Sequence, residues 1–300
     1  MIEYSIVIPQ KDSIQTLPRL IDSIPDDERI EIIICDNSEK PITKDCLKIA
    51  RPYKLVHADS KRFAGGARNE GLKVATGKWL LFADADDFFS PNAFERFDEY
   101  VNSDYDLVYF KMGGVYEDTM EPSDRGKLYC DRIDAFLAGR ITERYIRVHF
   151  DTPTCKMVRR TLVVEHDIKF DEIVAGNDSF FSLLTGFYAK SFAANSGIVY
   201  IATTNRGSLT RRRNILVTES RYLVRLRRNR FLREHKMADL QSSVMVHIVA
   251  SSHYGLKTFL RFLKNAIKYR QNIFIGYKNW IKTFIYTRRR NINEKDLITE

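Results

Sequence analysis

Trp79-Leu80-Leu81-Phe82-Ala83-Asp84-Ala85-Asp86-Asp87 is an apolar run that ends in three carboxylates within four residues. Consecutive large apolar side chains bounded by a polar turn predict a short strand covered on both faces. Like charges crowded at the end of such a strand repel one another unless a cation neutralises them. Mg2+ or Mn2+ suits this role, with Asp84 and Asp86 as metal ligands, because these hard cations take few protein oxygens and complete their shell with substrate phosphates. The same run reads alternatively as a solvated acidic turn that caps the next helix.

Outward from this stretch, short β-rich runs at 4–8, 31–35, 53–57, 78–82 and 106–110 alternate with helical patterns. That alternation predicts an α/β fold with a mostly parallel central sheet. Ligands of open parallel sheets bind beyond the carboxyl ends of the strands. Attention therefore falls on Gln10-Lys11-Asp12, Asp36-Asn37-Ser38 and Asp84-Ala85-Asp86-Asp87. Asp36, directly after its strand, either hydrogen-bonds a base or ribose or caps the loop that follows. Phe63-Ala64-Gly65-Gly66-Ala67-Arg68-Asn69-Glu70-Gly71 reads as a glycine-rich entry into a helix. Its first amides and Arg68 either approach a nucleotide or form an ordinary glycine turn with a surface ion pair.

Ser90 and Pro91 predict a helix start, with Ser90 as N-cap and the helix reaching about residue 101. Residues 113–126, rich in Gly, Asp and Glu, are expected to form an irregular excursion near the acceptor side. Helical patterns follow from residue 131 and over 177–189, then a last strand at 198–202. Beyond Arg211-Arg212-Arg213 the chain reads as helical, which puts the expected division at 1–212 and 213–300.

The chain of 300 residues, 35.0 kDa, has 44% hydrophobic and 29% charged residues, so it is expected to fold around a real core. Its net charge of +9 is unevenly placed: residues 206–300 hold 22 Lys and Arg against 6 Asp and Glu. Such a basic segment seeks phosphates, in nucleic acid, in anionic lipid or in a pyrophosphate-linked substrate. Cys35, Cys46, Cys130 and Cys155 show neither CxxC spacing nor a nearby His cluster, so a zinc site or disulfide framework is not expected. The opening Met1-Ile2-Glu3-Tyr4 lacks a signal-peptide pattern, and mean hydropathy is −0.32 with no apolar stretch of membrane-spanning length. The expectation is a cytoplasmic protein, free or peripheral to the inner face of the membrane.

Four segments in register resemble the family 2 glycosyltransferases, of the type that builds bacterial surface polysaccharides: Tyr4-Ser5-Ile6-Val7-Ile8-Pro9, Glu31 to Ser38, Gly66 to Trp79, and Phe82-Ala83-Asp84-Ala85-Asp86-Asp87. The resemblance continues through Lys156-Met157-Val158-Arg159-Arg160, Ile168-Lys169-Phe170-Asp171-Glu172 and Gly176-Asn177-Asp178-Ser179 to Asn205-Arg206-Gly207-Ser208-Leu209-Thr210. It implies a GT-A-like nucleotide-sugar-binding domain over residues 1–212, with a basic helical C-terminal region. It implies a metal-dependent, inverting transfer of a sugar from a nucleotide-sugar, UDP-linked in the usual case, to a saccharide or lipid-linked acceptor. Asp36 would contact the nucleoside, Asp84 and Asp86 the metal and diphosphate, and Asp178 would be the catalytic base. Pro9, Asp12, Gly66, Arg68, Ala85 and Arg206 complete the implied donor site, with Ser208 and Thr210 beside Arg206. A carboxylate in the first turn of a helix is expected to be held ionised by the macrodipole, which suits a base.

Two positions depart from the family pattern. Asn177 stands where Glu is usual, and Pro9-Gln10-Lys11-Asp12 stands where an aromatic and an Asn are typical. A sugar-phosphate nucleotidyltransferase is the alternative enzyme, but it calls for a Gly-rich phosphate loop after the first strand, which these residues do not supply. A non-catalytic protein binding nucleic acid or an anionic surface is the other alternative; no nucleic-acid recognition motif accompanies the charge. In the tail, Tyr277, Trp280, Ile281, Phe284 and Ile285 form one stripe, and Phe259, Phe262, Leu263 and Ile267 another, each flanked by Lys and Arg. These stripes either pack on the catalytic domain or rest on an anionic membrane.

Overall fold

A computed structural model describes residues 1–204 and 214–276. Arg206, Ser208 and Thr210, and the stripe from Tyr277 to Ile285, lie outside the described residues. The chain divides into two compact units, Met1–Ile173 with Asn177–Arg212, and Val174–Gly176 with Arg213–Glu300.

The first unit holds β1 (Tyr4–Gln10), β2 (Ile30–Asp36), β3 (Lys54–His57), β4 (Trp79–Phe82), β5 (Phe88–Phe89), β6 (Leu107–Tyr116), β7 (Lys156–Arg159) and β8 (Phe192–Thr204). They form one mixed sheet in the order β3-β2-β1-β4-β7-β6-β8-β5. Pairings β1·β2, β1·β4, β2·β3 and β6·β8 are parallel, whereas β4·β7, β6·β7 and β5·β8 are antiparallel. Helices α1 (Leu17–Asp22), α2 (Phe63–Val74), α3 (Ala93–Asp98), α4 (Lys127–Leu137), α5 (Glu143–His149), α6 (Arg160–Glu165) and α7 (Ser179–Tyr188) connect the strands. Strand order reverses around β1, which runs between β2 and β4, so the crevice at their carboxyl ends is a topological switch point. Every residue of β1 and of β4 is buried, as the unbroken apolar runs require.

The structure departs from the sequence expectations in three places. β6 continues through Gly113-Gly114 to Tyr116, paired with β8, where an irregular excursion was expected from residue 113. β8 begins at Phe192, six residues before the expected start, because Leu107, Val108 and Tyr109 of β6 offer it a partner over Phe192, Ala193 and Ala194. Ser90 does not cap α3: its Oγ donates to the Ile198 carbonyl at 2.7 Å and its N–H to that of Val199 at 3.0 Å. Edge pairing with β8 thus takes the hydroxyl, and α3 begins at Ala93 with Asn92 in the cap position and no side-chain cap bond.

The core of this unit is rich in aromatic edges. Phe89, Phe94, Phe97 and Phe110 meet in T-shaped contacts at 5.2–6.1 Å, and Trp79 donates its indole N–H to the Val101 carbonyl at 3.1 Å. α2 presses against the segment after α6. A Cβ on Gly65 would lie 1.9 Å from the Asp171 carbonyl oxygen, so only glycine permits this approach.

The second unit contains α8 (Ile215–Glu234), α9 (Met245–Ser251) and α10 (Leu256–Lys268). Its own apolar cluster comprises Tyr222, Leu226, Val244, Ile248, Phe262 and Ala266, with Phe259 and Leu263 packed against it. Among the described residues no helix is long and apolar enough to cross a membrane.

Gly65→Ala is expected to lose about 1–3 kcal/mol of stability through forced separation of α2 from residue 171. Urea unfolding of the variant against wild type checks this; an unchanged midpoint would refute the packing role given to Gly65.

Candidate active site

The carboxyl end of β4 separates its three aspartates. Asp87 turns inward: its Oδ2 accepts from the Tyr200 hydroxyl at 2.9 Å, and its Oδ1 from the Thr203 N–H at 2.7 Å. The Tyr200 oxygen in turn accepts from the Asp84 N–H at 2.8 Å, so one buried tyrosine ties both ends of the turn. Burial, followed by the charges of Asp86 and Asp84, pushes Asp87 up to about 8. Three carboxylates at the loop were expected; two remain outside, because the third serves the turn itself. Tyr200 and Thr203, from β8, carry no motif that marks them, and Thr203 lies past the expected end of that strand.

Ala85 is buried, which leaves Asp84 and Asp86 on the open side. Asp86 reaches solvent, yet the protein around it and then the Asp84 charge raise its carboxyl above the ordinary aspartate range, while Arg125 opposes the shift. The Asp86 carbonyl accepts from the Thr203 hydroxyl at 2.7 Å and from the Arg19 guanidinium.

Arg68, on α2, joins this pair to the other side of the site. One terminal nitrogen donates to Asp84 Oδ1 at 2.5 Å, the other to Asn177 Oδ1 at 3.0 Å, and the guanidinium lies 5.3 Å from the Phe170 ring centroid. Its side chain is only 6% exposed. The neighbouring Asn69 binds both backbone groups of Phe170, accepting its N–H at 2.9 Å and donating to its carbonyl at 3.0 Å. Phe170 stacks on Phe181 of α7 at 3.9 Å, and Phe82 of β4 meets both rings edge-on. The start of α7 is therefore fixed to the end of β4 by a polar clamp and an aromatic one.

Asp178 immediately precedes α7 and makes no side-chain capping bond. Burial pushes its carboxyl up to about 6; the Arg68 charge works against this, and Asp151 and Asp84 add to it. The expected hold of the macrodipole on the ionised form is thus outweighed by desolvation, since a helix terminus is worth at most about 2 kcal/mol even when partly buried. Asp151 escaped the sequence reading; it accepts from the Tyr129 hydroxyl and from Arg132, each at 3.4 Å.

The remaining expected residues have other immediate partners. Asp36 is buried and accepts from Gln10 Nε2 at 3.2 Å, the Ser38 N–H at 3.1 Å and the Ile42 N–H at 3.0 Å, with His57 Nδ1 3.2 Å away. Of its two readings, the loop cap is the one these bonds describe. Gly66 faces Arg62, whose Cβ would be 2.3 Å from an added methyl, so the helix entry at Gly65 and Gly66 packs on protein. Pro9 is buried in β1, while Asp12 is exposed at φ 55° with its N–H donated to Ser38 Oγ at 3.3 Å. A cavity of about 570 Å³ lined by Ile30, Tyr53, Lys54 and Thr76 lies at the amino ends of β2 and β3, away from this site.

Residues 5–166 match the family described as Glycosyl transferase family 2, which is more than half of the chain. The chain belongs to glycosyl transferase family 2. It is 25% identical over 238 residues to a protein named as a glycosyltransferase, EpsH of Bacillus subtilis (strain 168), covering 75% of this chain and 67% of EpsH. It is 23% identical over 219 residues to the poly(ribitol-phosphate) beta-N-acetylglucosaminyltransferase TarS of Staphylococcus aureus (strain MW2), covering 69% of this chain but 36% of TarS. The structure of S. aureus TarS 1–349 in complex with UDP-GlcNAc superposes with TM-score 0.56 and 18% identity over 89% of this chain and 73% of that one. The mannosyltransferase PcManGT from Pyrobaculum calidifontis, in complex with GDP-Man and Mn2+, gives TM-score 0.53 and 14% identity over 98% and 88%. At these identities the structural likeness shows the fold, which is GT-A. Family membership leaves the nucleotidyltransferase alternative without support.

The family implies a divalent cation, and the donor set of this family 2 chain suits one. Asp84 and Asp86 are the outward carboxylates, and Asp86 is raised partly by the Asp84 charge, a repulsion that a cation relieves. No group of three or more His, Cys, Asp or Glu side chains is placed to hold a metal among the described residues. A hard cation that draws on substrate oxygens needs no more than two protein carboxylates.

The raised Asp178 has a consequence for stability. Its folded value of about 6 lies above the ordinary 3.8, so the folded state is penalised as pH rises through that window. Asp178→Asn is therefore expected to raise the thermal midpoint, most fully above about pH 6, with the gain fading as pH falls through 3.8, below which both states carry the protonated acid. Thermal scans across that range test it; a variant less stable at pH 7.5 would contradict the burial of an ionised carboxylate here.

Proposed function

We propose that this chain transfers a sugar from a nucleotide-sugar donor, UDP-linked, to an acceptor hydroxyl with inversion, in the synthesis of a surface polysaccharide or glycolipid. Catalysis is assigned to residues 1–212, and residues 213–300 are a basic C-terminal region. The observation that carries the reading is the Arg68 bridge: one guanidinium binds Asp84 at the end of β4 and Asn177 at the start of α7. That bridge ties Asp84 to the residue next to the base candidate Asp178, which supports a metal side and a base side acting on one substrate. The TarS structure with UDP-GlcNAc supports a UDP-sugar donor, and the poly(ribitol-phosphate) in the TarS name supports a hydroxyl-bearing acceptor, which we assign here to a saccharide or a lipid-linked molecule.

Asp178 accepts the proton of the acceptor hydroxyl as that oxygen forms its bond to the anomeric carbon. The bond from that carbon to the diphosphate oxygen breaks on the opposite face, which inverts the centre in one displacement. A carboxyl near 6 is ionised at neutral pH and basic enough to take part of a proton in the transition state. Arg68 adds a fixed positive charge beside the leaving side and steadies Asp84. Mn2+ or Mg2+ held by Asp84 and Asp86 would supply charge neutralisation to the departing diphosphate, and the PcManGT complex with Mn2+ supports that assignment. Asp36, Pro9, Asp12, Gly66, Ala85 and Arg206 remain assigned to the donor side, Asp36 by way of the loop it caps.

Calorimetry with a panel of nucleotide-sugars is expected to show UDP-sugar binding in Mn2+ that is lost in Asp84→Ala and Asp86→Ala. Absence of binding across the panel in the wild-type protein would remove the proposal. Transfer by Asp178→Asn is expected to fall about 10²–10⁴-fold with donor binding retained. The wild-type kcat/KM should decline as pH drops below about 6, where the base becomes protonated. A variant as active as wild type would eliminate Asp178 as the base.

A further inference from the structure

α10 in the second unit has three sides. Phe262 and Ala266 are buried, and Phe259 and Leu263 join the unit's apolar cluster. The stripe expected from Phe259, Phe262, Leu263 and Ile267 is therefore split: the first three turn into the unit, and only Ile267 stays outside. Next to this inner side, Leu256, Leu260 and Ile267 are 71%, 51% and 66% exposed. With 3.6 residues per turn they fall within about 40° of one another along the whole helix. Lys257, Lys264 and Lys268 occupy the sector beside them, followed by Arg261, and the helix contains no Asp or Glu. Arg261 is held by Glu219, but no ion pair among the described residues engages the three lysines. Phe274, beyond the helix end, is 70% exposed.

We propose that this face of α10 is a membrane-binding surface that rests on anionic phospholipid, goes no deeper than the headgroup boundary, and acts independently of sugar transfer. An exposed apolar stripe beside lysines that no ion pair engages among the described residues, Lys268 lying over the Tyr269 ring, matches an interface that is apolar below and negatively charged above. The charge pattern disfavours the other occupants. A second copy docked on the same stripe would bring Lys257, Lys264 and Lys268 against their like, whereas nucleic acid would satisfy the lysines and leave Leu256, Leu260 and Ile267 unmatched. The binding uses the side of the helix that the unit's own cluster leaves uncovered, so it requires no unfolding.

The full chain is mixed with vesicles of phosphatidylcholine alone or with added phosphatidylglycerol, and sedimented at low and high salt. Binding is expected only where phosphatidylglycerol is present, weakening with salt. The pair Leu260→Glu with Ile267→Glu, and separately the triple Lys257→Gln, Lys264→Gln and Lys268→Gln, should each bind at least about tenfold more weakly. All five side chains lie on the outer sectors of the helix, so thermal midpoints and transfer to a water-soluble acceptor should stay at wild-type values. Undiminished vesicle binding by both variants overturns the proposal in favour of another basic segment. Equal binding to both vesicle types, or a dimer that the Leu260→Glu pair dissociates, overturns it as well.

Discussion

A buried guanidinium is expensive unless its charge and its N–H groups are answered. Arg68 finds a carboxylate in Asp84, an amide oxygen in Asn177 and a ring face in Phe170, and its Nε alone lacks a partner among the described residues. Those three partners come from β4, from the turn into α7 and from the segment after α6, stretches that are distant in sequence. The Asp84 charge helps to push the Asp178 carboxyl up, and the Arg68 charge opposes it. The same charge draws Asp178 back toward ionisation, so one side chain both assembles the site and sets the electrostatic level at which it works.

The β4 turn obeys a related constraint. Three adjacent aspartates cannot all face a small polar site ionised, and the fold resolves the conflict by making one of them structural. Asp87 faces inward to Tyr200 and Thr203, where donors compensate for a carboxyl that burial pushes to about 8. This buried acid fixes the backbone between Asp84 and Asp86, since Tyr200 also holds the Asp84 N–H and Thr203 the Asp86 carbonyl. Preorganised carboxylates need no rearrangement to meet a positive charge.

The parallel strands near the amino terminus were legible because each is a run of large apolar residues ending in a polar turn, and local composition suffices for such runs. β8 was legible only in its middle: Ala193 and Ala194 have no strand character of their own and are extended because Val108 and Tyr109 of β6 lie beside them, and Asn195-Ser196-Gly197 fills an irregularity in the pairing before it resumes at Ile198. Gly113 and Gly114 misled for the complementary reason. They resemble a loop, but the space over Gly114 is filled by the Arg125 carbonyl, 2.3 Å from where a Cβ would stand. Gly65, read as part of a glycine-rich helix entry, lets α2 meet the Asp171 carbonyl. In each case the missing information was a tertiary neighbour, which no periodicity encodes. Tyr200 and Asp151 belong to the same class, since an isolated Tyr or Asp carries no spacing.

The departure at position 177 becomes intelligible in these terms. A Glu there would place a second carboxylate on Arg68 and a second negative charge beside Asp178. Both changes act in one direction: the new charge raises Asp178 directly, and pairing with Arg68 diminishes the one cation that lowers it. Asn177 keeps the Arg68 hydrogen bond at 3.0 Å and contributes no charge. In a site this desolvated, the neutral amide is what leaves a carboxylate at 178 near 6 rather than higher, and so ionised at neutral pH. Asn177 therefore preserves the geometry that joins the two halves of the site while keeping the Asp178 carboxyl closer to its ionised form.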